Sequence, residues 1–259
     1  MPFVLEFTQT ISGHGVHIIH TLSERTKLSN VTLPPLLHRN LQCLNSSNAH
    51  LRPCNLVLTD LIPEDEVVAN YSLTFFVHCE GSWQSHCCGT QNVEDHKGSK
   101  MQYAGTSVNY AIQSELREKL HSTIDSITDF LRGEGYYGTV GADVLETRDG
   151  KQYVIDLNVR WTSSWILGTL RKHFYGSEVG LGLRRARLVM MHFEVGMKEF
   201  EEVMEEELSE GRVAVVARFE LDGKSWVHLV VGGWEWGDVE RVVGKMEGLC
   251  GREAEEDGD

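Results

Sequence analysis

The chain has 259 residues, of which 41% are hydrophobic and 24% charged, a composition typical of a globular protein with a sizeable core. Its 24 Lys and Arg against 38 Asp and Glu give a formal net charge of −14, which excludes a non-specific nucleic-acid-binding protein. The chain contains no apolar run long enough for a membrane span, and its start, MPFVLEFTQT, lacks a signal-peptide pattern. We therefore expect a cytoplasmic protein without membrane or nucleic-acid partners.

The first third of the chain is predicted to contain short strands. PFVLEF and ISGHGVHIIH read as two strands around a Ser-Gly-His-Gly turn, and 21–30 reads as a short helix. Pro34-Pro35 and the Asn and Ser residues that follow predict a loop over 31–53. Three further β-favouring runs are predicted to be strands: 55–61, 71–79 and 83–90, with an acidic connection at 63–66 and a Gly81-Ser82 turn.

The middle and end of the chain add longer helices and two hairpins. Apolar residues three and four apart predict a helix over 108–132, with Leu116, Leu120, Ile124, Ile127 and Leu131 on one face. Asp149-Gly150 predicts a hairpin, and Asp222-Gly223 another that is followed by a helix. A helix over about 165–174 and an amphipathic stretch over about 183–208 lie between them. Sequential hairpins with helices predict antiparallel sheets and an α+β fold.

The first hairpin places two acids opposite each other. If Asp149-Gly150 forms a two-residue loop, opposite residues have numbers that sum to 299, so Asp143 faces Asp156. Like charges in such a pair are destabilising, so a cation is expected between them. Asn158 and Arg160 continue the row of Asp156, because alternate residues of a strand share a face.

This polar row suits a magnesium nucleotide. Mg²⁺ prefers oxygen ligands and commonly uses one or two carboxylates together with substrate phosphates, which a guanidinium also binds. The alternative from the hairpin alone is a solvent-facing polar surface with an ordinary salt bridge to Arg160.

These residues also resemble a known family. G-Y-Y-G-T-V-G-A-D-V-L at 135–145 and V-I-D-L-N-V-R at 154–160 are similar to the C-terminal signature of the ATP-grasp superfamily. The resemblance implies an ATP-grasp-like α+β fold in which two subdomains with antiparallel sheets clasp a nucleotide. It also implies ATP and Mg²⁺ as cofactors, with Mn²⁺ as an alternative metal. Asp143, Asp156 and Asn158 would then hold the metal, and Arg160 would be the catalytic residue that stabilises charge on the transferring phosphoryl group.

The resemblance extends upstream to about residue 3. Ser12-Gly13-His14-Gly15 looks like the glycine loop that covers the triphosphate, although an ordinary hairpin turn is the simpler interpretation. Asp60-Leu61-Ile62 is similar to the hinge that binds adenine through backbone groups, and Glu66 to an acid that contacts ribose. The alternative interpretation of Asp60-Leu61-Ile62 and Glu66 is an edge strand followed by an acidic turn without a ligand.

The resemblance implies an ATP- and Mg-dependent ligase that activates a small-molecule carboxylate as an acyl-phosphate for attack by an amine. Three departures point to the alternative, a degenerate nucleotide-binding module without ligase activity of its own. Glu6 stands where a lysine usually faces the phosphates, Trp161 stands where small residues are usual, and the N-terminal substrate domain is missing. A separate N-terminal partner domain or a homo-oligomer would supply what is missing.

The predicted domains are 1–107, with the glycine loop and adenine hinge; 108–175, with the metal hairpin; and 176–259, a C-terminal α+β extension with an acidic tail. Outside the hairpin, a zinc site is a weaker candidate. With a two-residue Gly81-Ser82 loop, Cys79, His86 and Cys88 would share one face, but buried core cysteines explain them more simply. A Cys/His hydrolase lacks any recognisable oxyanion hole.

Overall fold

The computed structural model describes residues 2–7, 15–51, 55–96, 100–176 and 180–250. It has the predicted α+β architecture, with antiparallel sheets and helices packed against them. The strands are β1 Phe3–Phe7, β2 Val16–Ile19, β3 Leu56–Asp60, β4 Val67–Val77, β5 Trp83–His96, β6 Lys100–Asn109, β7 Gly138–Thr147, β8 Gln152–Asn158, β9 Arg185–Phe193, β10 Val213–Leu221 and β11 Lys224–Gly233. The α-helices are α1 Leu22–Lys27, α2 Leu33–Gln42, α3 Gln113–Lys119, α4 His121–Gly133, α5 Trp165–Thr169, α6 Arg171–Tyr175, α7 Met197–Val203, α8 Glu205–Ser209 and α9 Trp236–Glu247.

The chain divides into two compact units. The first comprises Met1–Val67 and Val93–Tyr103, and the second comprises Val68–Asn92 and Ala104–Asp259. Residues 68–92, which the predicted domain 1–107 includes, thus belong to the second unit, as does the region 176–259. Among the described residues, no helix is both long and apolar enough to span a membrane.

The first unit is built on a three-stranded antiparallel sheet in the order β2-β1-β3. Its small core consists of Leu5, Ile19 and Leu28, so one face of the sheet packs against the helical segment. Helix α1 begins where predicted, because Thr21 and Glu24 cap each other's backbone N–H groups in a capping box.

The predicted loop over 31–53 is wrong for its first half, which forms α2. Pro34 and Pro35 occupy the first turn of this helix. A π-helical turn, Leu28–Thr32, directly precedes α2, so α1, this turn and α2 form one continuous helical run over 22–42. Proline lacks the N–H that a regular helix would use, and π-helical turns and prolines are both common at irregular points of a helix. The proline pair is therefore accommodated directly after an irregular turn and does not end the helical run.

The second unit contains an eight-stranded sheet in the order β10-β11-β9-β6-β5-β4-β7-β8. Helices α3 and α4 cover the β4 and β7 part of one face, and the predicted helix residues Leu120, Ile124, Ile127 and Leu131 are all buried there. The start of this helix was predicted too early. Val108 and Asn109 pair with β9, and the chain becomes α-helical only at Gln113.

The C-terminal strands carry a second helical layer. Leu229 and Val231 of β11 pack with α7 and α9, whereas Val230 belongs to a cluster on the opposite face. The predicted hairpin at Asp222-Gly223 is confirmed, since Leu221 pairs with Lys224 and both loop residues have positive φ angles of 53° and 75°.

Two helix predictions in this unit need correction. The amphipathic stretch over 183–208 begins as strand β9, whose side chains are buried with a period near two because it lies between β6 and β11. The helix predicted over 165–174 is interrupted at Leu170, so that α5 and α6 are two short helices. Leu167 and Phe174 nevertheless reach one buried cluster.

Candidate functional site

The hairpin formed by β7 and β8 closes differently from the prediction. The N–H of Thr147 donates to the carbonyl of Lys151 at 3.0 Å, so the loop has three residues, Arg148 to Gly150. Gly150 has a φ of 81°, which glycine adopts without steric cost. The two-residue turn was wrong because a three-residue loop ending in a left-handed glycine carries the same Asp-Gly pattern.

A β-bulge in β8 compensates for the longer loop. Near the loop Val144 pairs with Val154, but beyond the bulge Asp143 pairs with Asp156, so Ile155 is the additional residue. The predicted opposition of the two acids is therefore present, although the hairpin reaches it by a different route. Bulges are enriched beside active sites because they redirect neighbouring side chains.

Neutral donors, not a cation, surround Asp143. Its carboxylate accepts a hydrogen bond from Nε2 of Gln91 at 2.9 Å and another from the hydroxyl of Ser72. Within the described part of the chain, neither Asp143 nor Asp156 forms an ion pair with a basic side chain, so no described residue supplies the expected cation. Burial, and then the charge of Asp156, raise the pKa of Asp143 to about 7.

The second acid begins a row of linked polar side chains. Nδ2 of Asn158 donates to Asp156 at 2.6 Å, and Nη2 of Arg160 donates to Oδ1 of Asn158 at 2.8 Å. Asp156 and Arg160 are exposed, so the row is open to a ligand. Arg160 thus holds the amide of Asn158 and does not neutralise the acid pair directly.

The site also contains residues that the sequence analysis missed. On β4, Tyr71 and Leu73 belong to a buried apolar cluster, so Ser72 between them faces the polar row. Next to it, Nδ2 of Asn70 donates to Gln91 at 3.1 Å, while the buried Oδ1 of Asn70 has no hydrogen-bond partner. The interleaved Ser and Thr within the apolar run 71–79 were the available signal for Ser72. Gln91 had none, because only the pairing of β4 with β5 and β7 brings it to Asp143.

The donor set fits a hard divalent cation. Burial and the neighbouring acid raise the pKa of Asp143 to about 7, and both opposed carboxylates would ionise if Mg²⁺ bound between them. The unpaired oxygen of Asn70 adds an acceptor for a metal-bound water. No cluster of three or more His, Cys, Asp or Glu occurs among the described residues, so phosphate and water oxygens would have to complete the shell.

The segment after Arg160 packs over the hairpin. A Cβ at Gly141, the backbone partner of Asn158, would lie 2.6 Å from Cγ2 of Thr162, so glycine is required for this close approach. Trp161 is exposed and Thr162 bonds to Ser164 at 3.0 Å between their hydroxyl oxygens. The backbone N–H of Trp165 then donates to the carbonyl of Thr162, which begins α5.

The remaining predicted residues lie in the first unit. Ser12, Gly13 and His14 are outside the described residues, and Gly15, with a φ of 84°, directly precedes β2. Asp60 ends β3 as the partner of Phe3, Leu61 and Ile62 follow it as half-buried coil residues, and Glu66 is exposed in a 3₁₀ turn. Their contacts with a nucleotide stay predictions.

Glu6 lies in the central strand of the first unit. It pairs with Val16 of β2 and with Val57 of β3. It alternates with the buried Leu5 and Phe7, so its side chain lies on the face opposite the small core. Glu6 thus occupies a strand position with its side chain directed away from the small core, and its placement beside the phosphates stays a prediction.

The zinc candidate does not assemble. The β4–β5 loop again has three residues, since the N–H of His78 donates to the carbonyl of Ser82, and a bulge falls at His86. Cys88 packs in the cluster with α4, whereas Cys79 is exposed in the loop. Burial raises the pKa of Cys87 to about 12, so it is a core thiol and not a reactive one.

Comparison with known proteins matches part of the chain to a family model. A family model described as an ATP-grasp domain matches residues 59–164, which contain the predicted hinge and the whole polar row. No curated protein has a matching sequence.

Solved structures share the fold along nearly the whole chain. An L-amino acid ligase from Bacillus licheniformis has 14% identity and a TM-score of 0.60, with 97% of this chain and 64% of that chain covered. An N5-carboxyaminoimidazole synthetase from Staphylococcus aureus, complexed with ADP, has 11% identity and a TM-score of 0.53, with 96% and 61% covered. The biotin carboxylase domain of a 2-oxoglutarate carboxylase from Hydrogenobacter thermophilus, a dimer complexed with MgADP, has 12% identity and a TM-score of 0.51, with 95% and 56% covered.

The chain thus spans about three fifths of the length of these solved structures. At such low identity the likeness concerns the fold alone, and the range of the matched family model includes the residues of the polar row. The chain is thus similar to an ATP-grasp domain over residues 59–164, less than half of its length, and it shares the fold of these solved structures.

Proposed function

We propose that this protein binds MgATP and uses it to activate a small-molecule carboxylate as an acyl-phosphate for attack by an amine. The observation that carries the proposal is the pairing of Asp143 with Asp156 beside the linked row of Asn158 and Arg160. An unrelieved pair of acids is costly unless a cation binds between them, and an exposed arginine beside it suits a phosphate.

Each residue of the row has a role in this proposal. Asp143 and Asp156 supply the carboxylate oxygens for Mg²⁺, and bound Mg²⁺ would supply charge neutralisation for the phosphate oxygens. In the structure the nitrogen of the Asn158 amide faces Asp156 and its oxygen faces Arg160. Half a turn of the amide would bring the oxygen to the metal and release the Arg160 guanidinium for a phosphoryl group.

The first unit would supply the nucleotide contacts. We assign Ser12, Gly13, His14 and Gly15 to the triphosphate, the backbone of Asp60, Leu61 and Ile62 to adenine, and Glu66 to the ribose hydroxyls. Support comes from the matched family model, which includes the last four of these residues. A glycine with positive φ directly before β2 also permits close approach of backbone N–H groups to phosphate oxygens.

The reaction class rests on the relatives. The solved structures of similar fold are named as a ligase, a synthetase and a carboxylase, and two of them contain ADP. These names agree with ATP-dependent activation of a carboxylate or bicarbonate. A separate partner domain or a second copy would supply further substrate contacts.

Glu6 favours a second candidate, a nucleotide-binding module without ligase activity of its own. A negative side chain on the outward face of the central strand would repel a triphosphate placed there. ADP release in the presence of carboxylates and amines separates the two candidates, since only the ligase turns over.

The testing experiment is calorimetric titration of the full chain with a non-hydrolysable ATP analogue, once with Mg²⁺ and once with a chelator. We expect saturable binding that requires Mg²⁺ and is lost in Asp156→Asn. Asp129→Asn is the matched control, because it removes the same charge from an exposed position on α4. Binding that survives chelation, or that survives in Asp156→Asn, would contradict the metal site.

A further inference from the structure

A cavity lies in the same unit as the polar row. It has a volume of about 350 Å³ and opens to solvent between the β4–β5 hairpin and the start of α5. Its lining consists of Phe76, His78, Gln84, Ser85, His86 and Trp165. None of these residues belongs to the polar row or to the proposed nucleotide contacts, and the zinc candidate that included His86 does not assemble.

The cavity is connected to the polar row by short links. Thr162 packs over Gly141, the partner of Asn158, and its carbonyl accepts the N–H of Trp165 in the cavity wall. Along β4, Ser72 and Phe76 lie on one face and four residues apart, which is about 13 Å. A ligand that reaches from the cavity to the polar row would therefore span a distance of this order.

The wall has one buried donor without a partner. Trp165 is only 9% exposed, and its Nε1 forms no hydrogen bond within the described protein. An unsatisfied buried N–H costs free energy that an acceptor would recover. A ligand that brought an acceptor to this N–H would therefore bind more tightly.

His86 is fixed beside this donor. Its ring stacks on Trp165 with centroids 4.2 Å apart and an angle of 20°, and its Nε2 lies 2.9 Å from the carbonyl oxygen of Trp165. Because a carbonyl can only accept, Nε2 donates this hydrogen bond. The stacked pair thus forms a fixed part of the cavity wall.

The chemistry of the lining selects the ligand. It has the two aromatic rings of Phe76 and Trp165 and two imidazoles, but no Asp, Glu, Lys or Arg. A planar ring stacks well on such a surface, whereas a substrate ammonium group would find no carboxylate to pair with. We infer that this cavity binds the ring of an aromatic or heteroaromatic carboxylic acid, whose carboxylate extends towards Arg160. The assignment of that acid as substrate rests on the proposed ligase function.

The test measures binding of nicotinate to the full chain by saturation-transfer NMR, without ATP or Mg²⁺. Nicotinate is planar and carries a ring acceptor, and cyclohexanecarboxylate is the saturated comparison. Gly168→Ala is the informative variant, because a Cβ there would lie 2.4 Å from Cδ2 of His86 and displace the stacked ring. Gly244→Ala is the matched helical control, since a Cβ there meets nothing within 4 Å.

We expect nicotinate to bind the natural chain and Gly244→Ala equally, and Gly168→Ala at least about fivefold more weakly. Trp165→Phe keeps a ring but removes the donor, so it should also weaken nicotinate, and it serves if Gly168→Ala does not fold. Equal binding by all variants, equal binding of cyclohexanecarboxylate, or no binding of nicotinate at millimolar concentration would overturn the inference. The nicotinate experiment contains no ATP, so it is independent of nucleotide binding. If nicotinate binds as expected but the calorimetric titration shows no MgATP binding, only the ligase assignment is refuted.

Discussion

Replacing Asp143 by Asn should stabilise the metal-free protein while removing its metal site. The carboxylate is half-buried opposite Asp156, and its two hydrogen-bond donors, Gln91 and Ser72, are neutral. An amide of the same shape keeps an acceptor oxygen for them and never ionises. The variant therefore isolates the cost of forming a second negative charge at this position.

The size of the effect follows from the pKa of Asp143. Burial and Asp156 raise it from the ordinary 3.8 to about 7 in the folded chain. Between these values the folded state binds more protons than the unfolded state, so stability falls as the pH rises, by about 1.4 kcal/mol per pH unit. The loss is complete above about pH 7 and amounts to about 4 kcal/mol, of which about 3 kcal/mol develops above pH 5.

Urea denaturation in chelator at pH 5 and at pH 8.5 measures this difference. All six tryptophans lie in the second unit, so their fluorescence follows the unit that contains the site. We expect the free energy of unfolding of Asp143→Asn to exceed that of the natural chain by a margin that is about 3 kcal/mol larger at pH 8.5 than at pH 5. Asp129→Asn, which lies beside Arg132 on the surface, is the charge-matched control and should show no such pH-dependent gain.

A gain that is equal at the two pH values would refute the reasoning. It would mean that Asp143 is already ionised at pH 5 and that its opposition to Asp156 costs little. With Mg²⁺ and nucleotide present, the natural chain should become more stable than Asp143→Asn, because only the natural chain gains binding free energy. Such a reversal is the usual relation between stability and function at a charged site.

Three other predictions concern different parts of the molecule. Glu6→Lys should tighten binding of the Mg-nucleotide analogue by about tenfold in calorimetry, and an unchanged affinity would place Glu6 away from the phosphates. Glu146→Gln should lower the free energy of unfolding by about 2 kcal/mol, because Glu146 is buried and bonds to Lys119 at 2.8 Å; an unchanged urea midpoint would contradict this. Gly150→Ala should destabilise by about 1 kcal/mol because its φ is 81°, whereas Gly244→Ala in α9 should stabilise by a similar amount; equal signs would refute the backbone argument.

Local patterns in the sequence were sufficient where one element decides the outcome. The apolar face of α4, the helix cap at Thr21 and the two-residue loop at Asp222-Gly223 depend on residues within a few positions of one another. Side-chain period, capping groups and left-handed turn residues act over such distances, and this is why these predictions were confirmed. The Asp-x-Asn-x-Arg row is similarly local, because alternate residues of one strand share a face.

Tertiary structure decided what depends on partners far along the chain. Strand β9, predicted as part of an amphipathic helical stretch, is a strand because β6 and β11 offer it hydrogen bonds on both edges. Gln91 reaches Asp143 only through the neighbouring strands of the sheet.

The opposed acids show both contributions. Residue counting predicted that Asp143 faces Asp156, but from a two-residue loop that does not form. The longer loop shifts the register by one residue and the bulge at Ile155 shifts it back, and a bulge leaves no clear mark in sequence because it depends on how strands twist and pack. The sequence thus determined which side chains could form the site, and strand pairing and packing decided how they meet.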